Sequence, residues 1–396
     1  MKIPFGTLSL TEEAKSLINR ILKTGNLSQG KYVQEFEERF ADLIGTREAV
    51  AVSSGTDAVT LALAVMYDFG AKRGDEVIVP ALSFVATGNA VLHAGFTPVF
   101  VDIELETLNI DPDKIKKAIT KRTRAILPVH LMGKPAPMDR ICAIAKKHKL
   151  PVIEDAAEAH GSIYKNKDIG TIGAMATFSL YVAHMISTIE GGVITTDNPG
   201  YAEILRSLRA HGRSCNCKIC VLNTGSLHCS RRFRNGNDIR FMFERIGYSS
   251  KMNELEAAVG LGNIKMWPVY LKRRRENLLY LLKHFKKFEP DLMTINEEEY
   301  EKIGPHAFPV IVGKNSKFGR DQLVSYLNKN GIDSRHLFLS MPTQCPGFKF
   351  LGYRTGDFPN AEYVGKNGLH IGIHQDLTVK HMKYFIEAVE KFLLRA

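Results

Sequence analysis

Val152-Ile153-Glu154-Asp155-Ala156-Ala157-Glu158-Ala159-His160-Gly161 is a short apolar run that ends in carboxylates. Its pattern is that of a buried strand, and in open α/β sheets ligands sit at the carboxyl ends of strands. Asp155 is therefore a candidate ligand-binding group, with capping of the next turn as the competing role. On either side, strand-like runs are expected at 76–80, 97–102, 125–129, 151–155, 176–181 and 192–196. Helical spacing falls between them at 112–119 and 138–148. Such alternation requires crossovers, and hence a mostly parallel sheet covered on both faces.

Upstream, Leu10-Thr11-Glu12-Glu13 reads as a capped helix start and Gly25 as its stop. Downstream of Met252-Asn253-Glu254-Leu255 a long helical pattern runs to about Phe288. An interruption is expected near Trp267-Pro268, where a bridge to a second unit would lie. The remainder is α+β in pattern, with a strand at 306–312, a helix at 320–330 stopped by Gly331, and a terminal amphipathic helix at 380–394. The expected division is a large domain over 1–266, carrying a cysteine-rich insertion at about 213–233, and a small domain over 267–396.

With 396 residues, 44% hydrophobic and 24% charged, the chain has room for one large and one smaller globular unit. No stretch approaches the roughly 18 apolar residues of a membrane span, and Met1-Lys2-Ile3-Pro4-Phe5 lacks the basic-then-apolar pattern of a signal peptide. A cytoplasmic protein that spans no membrane is the expectation. The net charge of +11 is dispersed. Its densest runs, Lys272 to Arg275 and Arg231-Arg232 with Arg234, lack the interleaved aromatics of a single-strand groove, so nucleic acid is disfavoured and a phosphorylated small molecule preferred. Of the six cysteines, Cys215, Cys217, Cys220 and Cys229 crowd one segment, which favours a metal or cluster site over a disulfide framework, with four free cysteines as the alternative.

Ser54-Gly55-Thr56-Asp57-Ala58 is a small-residue turn opening a helix. Unpaired N–H groups and the helix dipole make such a turn a seat for a phosphate monoester, although many turns of this kind only cap. Further on stands Phe178-Ser179-Leu180-Tyr181-Val182-Ala183-His184-Met185-Ile186-Ser187-Thr188-Ile189-Glu190-Gly191-Gly192. This stretch resembles the cofactor-lysine segment of the sugar aminotransferases of the DegT/StrS family, a branch of the pyridoxal-phosphate enzymes. At the lysine's position the chain has His184, and no lysine lies between Asp168 and Thr196. A lysine amine would tether the cofactor, whereas imidazole moves only protons.

The resemblance runs from about Pro4 to the C-terminal helix and implies the fold-type I, aspartate aminotransferase-like architecture, α/β with a small α+β domain, as a homodimer. It implies phosphate contacts from Gly55, Thr56 and Ser179, and a partner for the pyridine nitrogen in Asp155. Glu158 stands where the family usually has glutamine, near the ring's phenolic oxygen. Phe84, within Ser83-Phe84-Val85-Ala86-Thr87, matches an aromatic lid, with a core phenylalanine as the alternative. Ser249, within Gly247-Tyr248-Ser249-Ser250-Lys251-Met252, replaces an asparagine that reaches the partner's phosphate.

Ala183-His184-Met185-Ile186 before Glu-Gly-Gly is similar to the branch of 3-dehydratases acting on nucleotide-linked 4-keto-6-deoxy sugars. That branch implies pyridoxamine phosphate at the C4 ketone, His184 as the base on the cofactor's C4′ carbon, and expulsion of the C3 hydroxyl. The cysteine segment resembles an insertion of the dehydratases that carry a [2Fe-2S] cluster and draw electrons from an external reductase. In that subgroup one ligand falls where this chain has Ala157, so Cys220 would complete a Cys-x-Cys-x2-Cys-x8-Cys set, with zinc or [4Fe-4S] as other occupants. The rival expectations are a dehydratase whose amine is regenerated by glutamate, a catalytically inactive relative, and an ordinary aminotransferase.

Overall fold

In the computed structural model, which describes residues 1–8, 10–215, 217, 218, 220–222, 226 and 228–395, the alternating segments form β1 (Glu48–Val52), β2 (Glu76–Pro80), β3 (Thr97–Val101), β4 (Thr123–Ile126), β5 (Ile153–Asp155), β6 (Met175–Ser179) and β7 (Gly192–Thr196). β2 pairs in parallel with β3 and β4, and β5 with β6. Parallel bridges Ile126↔Val152 and Val129↔Asp155 join β4 to β5, giving the order β3-β2-β4-β5-β6-β7-β1. β7 runs antiparallel to both β6 and β1, so the sheet is mixed but mostly parallel. The strand expected over 125–129 lies earlier, because Pro128 has no N–H to give the ladder.

Period-2 alternation splits the sheet's side chains between two apolar layers. Val50, Val52, Val77, Val79 and Ile194 enter one core, while Ala49, Ala51, Ile78, Ala176, Phe178 and Val193 enter the other. Burial on both faces is why these strands read as continuous apolar runs.

The helices start and stop where local chemistry allows. Thr11 accepts from Ala14 N to open helix Glu12–Thr24, and Gly25 closes it with φ of 68°. Asn253 and Glu256 form a reciprocal capping box at the head of helix Glu254–Phe285. Contrary to expectation, that helix is not broken at Trp267-Pro268. Pro268 forfeits one backbone bond, but the buried Trp267 and Tyr270 beside it hold the segment in place. The expected domain boundary at 266/267 thus falls inside one continuous helix.

A second, antiparallel sheet follows: β8 (Leu292–Met293), β9 (Ala307–Val312), β10 (Ser334–His336) and β11 (Gly368–Gly372), in the order β8-β9-β11-β10. Helix Arg320–Lys329 packs against β10 and β11, and helix Val379–Leu393 lies against it and against helix Glu254–Phe285, meeting β9 through Phe385 and Phe308. The approach to β9 is pinned to the segment that follows β5, since Gly304 N donates to Ser162 Oγ at 2.9 Å. This contact brings His306 to the carboxyl ends of β5 and β6.

Candidate active site

Ser54 is extended and caps helix Gly55–Ala64, accepting from Asp57 N at 3.0 Å. The N–H groups of Gly55 and Thr56 lie in the first turn, ahead of any intrahelical acceptor, at the positive end of the helix dipole. Glycine is required here by crowding. A Cβ on Gly55 would meet Ser179 Cβ at 2.7 Å and Oγ at 2.9 Å, and one on Gly192 would meet the Ser54 carbonyl oxygen at 2.2 Å. The end of β6, the start of β7 and the helix N-terminus therefore close on one point. The Ser179 hydroxyl accepts only a long bond, 3.5 Å, from Tyr181 N, which leaves it able to donate to an anion. Gly55→Ala should displace Ser179 and weaken binding of pyridoxamine phosphate about tenfold, a cost of ~1.4 kcal/mol measurable by fluorescence titration.

At the end of β5 two adjacent carboxylates face opposite sides. Glu154 accepts from the N–H groups of Gly170, Ile172 and Gly173 at 3.2, 2.9 and 2.7 Å. Its Oε2 also meets His130 Nε2 at 3.2 Å; Ala136 N donates to His130 Nδ1, so the ring proton is on Nε2. Glu154 is a structural clamp. Asp155 is buried on the other side, accepting from Thr87 Oγ1 at 2.8 Å and Ala157 N at 3.3 Å. Burial raises its carboxyl above the usual range, partly offset by those two bonds. Among the described residues no lysine or arginine pairs with it.

Glu158 and His184 meet His306 in the same cleft. Met132 N donates to Glu158 Oε2 at 2.7 Å, and burial pushes this carboxyl up to about 8. Neutral at pH 7, Glu158 can donate a hydrogen bond as the amide of glutamine does, which accounts for the replacement. His184 sits in an irregular loop closed by bonds from Leu180 N to Gly191 O and from Thr188 N to Leu180 O, both 2.9 Å. Its Nδ1 is buried without a partner, and burial with the Arg274 charge lowers the imidazole to about 3. His184 is therefore neutral at physiological pH. His306 lies against it with ring centroids 4.8 Å apart, and its Nε2 is 3.7 Å from Glu158 Oε1. His160 is buried between Phe40, Phe178 and Trp267, a packing role.

Phe84 is 57% exposed and tilts toward Phe338 at 5.6 Å, so it is not a core residue and its face is open to a ligand. Ser249 is exposed, its backbone bridged to Ala210, and it lies in the surface segment that also exposes Phe241, Phe243 and Ile246. His306 and Arg274 were not identifiable as site residues. The only signal was a histidine at the mouth of an expected strand and an arginine within a basic run.

The four-cysteine set is only partly assembled. Cys215, Cys217 and Cys220 line one cavity of about 310 Å³ with Arg206, Arg209, Arg213 and Lys251, whereas Cys229 is not part of that wall. None of the six cysteines is in a disulfide. Among the described residues no group of three or more His, Cys, Asp or Glu is arranged to hold a metal. No helix among the described residues is long and apolar enough to cross a membrane.

Comparison with known proteins agrees with this geometry. The chain is 35% identical over 380 residues to a GDP-4-keto-6-deoxy-D-mannose 3-dehydratase of Escherichia coli O55:H7, covering 94% of this chain and 95% of that one. It is 34% identical over 370 residues to the GDP-perosamine synthase of Caulobacter vibrioides, covering 93% and 91%. A solved GDP-4-keto-6-deoxymannose-3-dehydratase with a trapped PLP-glutamate geminal diamine superposes with a TM-score of 0.86 at 33% identity, covering 98% of this chain and 100% of that one. Residues 8–390 match the DegT/DnrJ/EryC1/StrS aminotransferase family, and with the fold-type I architecture described above the chain belongs to that family.

Proposed function

We propose that this protein binds pyridoxamine phosphate and removes the C3 hydroxyl of a nucleotide-linked 4-keto-6-deoxyhexose, with glutamate restoring the cofactor amine. The observation that carries the proposal is His184, a neutral imidazole where a cofactor-tethering lysine would stand. The pocket suits the cofactor: Gly55, Thr56 and Ser179 for its phosphate, the buried carboxylate of Asp155 for its protonated ring nitrogen, and the open face of Phe84 for stacking. When bound, pyridoxamine phosphate supplies the amine for the C4 ketone and a ring that accepts electrons. Asp155 keeps the ring nitrogen protonated. Glu158 would donate to the ring's phenolic oxygen, and His184 would carry the proton from the C4′ carbon to the C3 hydroxyl, which would leave as water. Relatives with these activities support the assignment, including the dehydratase that holds glutamate on its cofactor.

Two copies would complete the site, with Ser249 donating across the interface from its exposed segment. The long helix Glu254–Phe285 would link a large cofactor domain to a small domain around β8–β11. The test is to supply pyridoxamine phosphate, glutamate and GDP-4-keto-6-deoxymannose; the expected result is loss of the C3 hydroxyl as water, with 2-oxoglutarate from glutamate and ammonia from hydrolysis of the C4 imine released in equal amounts.

A second reading, an iron-sulfur centre fed by a reductase, is favoured by the gathering of Cys215, Cys217 and Cys220 beside arginines. Iron and acid-labile sulfide analysis of anaerobically purified protein decides between them. The glutamate route predicts neither above background.

The proton inventory predicts a pH profile. His184, lowered to about 3, stays neutral throughout pH 5–8, so no acid limb arises from it. Glu158, raised to about 8, loses its proton above that pH, beside Asp155 and His306, so kcat should fall on the alkaline side. Glu158→Gln should keep at least half of the activity and abolish that alkaline limb.

A further inference from the structure

Arg274 heads the largest fully buried side chains among the described residues. Burying a guanidinium is costly unless its donors are met. Nε donates to Gln375 Oε1 at 3.0 Å, and Nη1 donates to the carbonyls of Pro305 at 3.3 Å and His306 at 3.2 Å. Among the described residues no carboxylate lies within ion-pair distance of it. Two of its three hydrogen bonds are therefore spent on the backbone that leads into β9, which carries the ring of His306, and the third holds Gln375.

The His306 ring faces His184 at 4.8 Å with the planes 37° apart, a partly stacked arrangement, and the buried Nδ1 of His184 has no hydrogen-bond partner. From its edge, Nε2 approaches Glu158 Oε1 to 3.7 Å, beyond direct hydrogen-bonding distance. The contact with His184 is therefore one of packing. A side chain in such contact covers a face of the imidazole, excludes water from it and restricts the ring to one plane. A base must be held within about half an ångström and 10–20° of its productive geometry.

We infer that His306, locked by the Arg274 hydrogen bonds to its backbone, is a positioning residue that walls one face of His184 and fixes its ring for proton transfer. The inference deepens the proposed reaction and rests on His184 being its base. Burial and then the Arg274 charge hold His184 below the ordinary histidine range; burial and then the facing His184, with Arg274 behind it, do the same for His306, and the buried His160 stands 6.1 Å from the His184 ring as the other imidazole beside it. Two adjacent rings cannot readily both carry charge.

The test uses three forms of the full-length protein: wild type, His306→Ala and His306→Phe. Phenylalanine keeps the covering face and removes the nitrogens. In cofactor-free protein labelled with 15N-histidine, the His184 signals are identified by their loss in His184→Asn. Wild type and His306→Phe should show a neutral, single-tautomer His184 from pH 8 to pH 5, whereas His306→Ala should show it titrating above pH 5 with mixed tautomers. With pyridoxamine phosphate and GDP-4-keto-6-deoxymannose, His306→Ala should lower kcat about 10²-fold with KM changed less than about threefold, and His306→Phe should restore most of it. Unchanged His184 signals in His306→Ala would overturn the inference. So would a His306→Phe enzyme as impaired as His306→Ala, because the imidazole would then be needed for its protons. Should wild type fail to dehydrate the sugar while the spectra follow the expected pattern, the reaction assignment falls and the wall stands.

Discussion

His184→Asn should lower dehydration about 10³-fold while leaving cofactor binding within about threefold, because general-base catalysis contributes 10²–10⁴-fold and asparagine cannot accept the proton. The geometry argues for this separation of effects. His184 sits on a loop closed by backbone bonds that do not involve its imidazole, so its loss leaves the turn intact. The phosphate seat at Gly55, Thr56 and Ser179 and the carboxylate at Asp155 are carried by other elements. Single-turnover measurement of sugar dehydration, with cofactor affinity from fluorescence titration, checks both halves. An affinity loss equal to the rate loss would mean that His184 is a binding residue and not the base.

Asp155→Ala has the second largest expected effect, and in the opposite sense on affinity. Removing one partner of a buried charge pair costs 2–5 kcal/mol, so pyridoxamine phosphate should bind about 10²-fold more weakly and turnover should fall at least as much. Isothermal titration and steady-state rates measure these. Without cofactor, the same carboxylate is a liability. Its folded-state pKa is raised by burial, so the unfolded chain loses its proton first as pH rises and stability falls with pH above the ordinary carboxylate range. Asp155→Asn should therefore raise the melting temperature of the cofactor-free protein at pH 8 while abolishing activity, the exchange of stability for function expected where a charge is kept for a ligand.

Much of this was legible in the chain because the signals are local. Glu76–Pro80 and Met138–His148 lie where apolar periodicity places them, and the Thr11 and Asn253 caps stand directly before their helices. Gly55 and Asp155 were flagged by a glycine turn and a strand end, whereas Ser179 and His184 came from the resemblance to the DegT/StrS family, and the contacts among these segments are long-range. What was not legible depends on tertiary packing. Pro268 signals a break, yet buried neighbours carry the helix through it. His306 reaches His184 only because Gly304 docks on Ser162 and Arg274 holds the following carbonyls, contacts between residues more than 30 positions apart or on different sheets. Phe84 could be lid or core on spacing alone, and exposure settles it as a surface ring. The cysteine count suggested four ligands, but spacing in a loop does not fix direction, and the cavity lined by Cys215, Cys217 and Cys220 does not include Cys229.

The central claim is a proton-carrying imidazole above a cofactor that is never covalently held. Borohydride reduction of the protein with stoichiometric pyridoxal phosphate, followed by intact-mass and peptide analysis, tests it most directly. Wild type should remain unmodified, and His184→Lys should acquire one pyridoxyl group at position 184. A stoichiometric pyridoxyl group on a lysine of the wild-type chain would contradict the account.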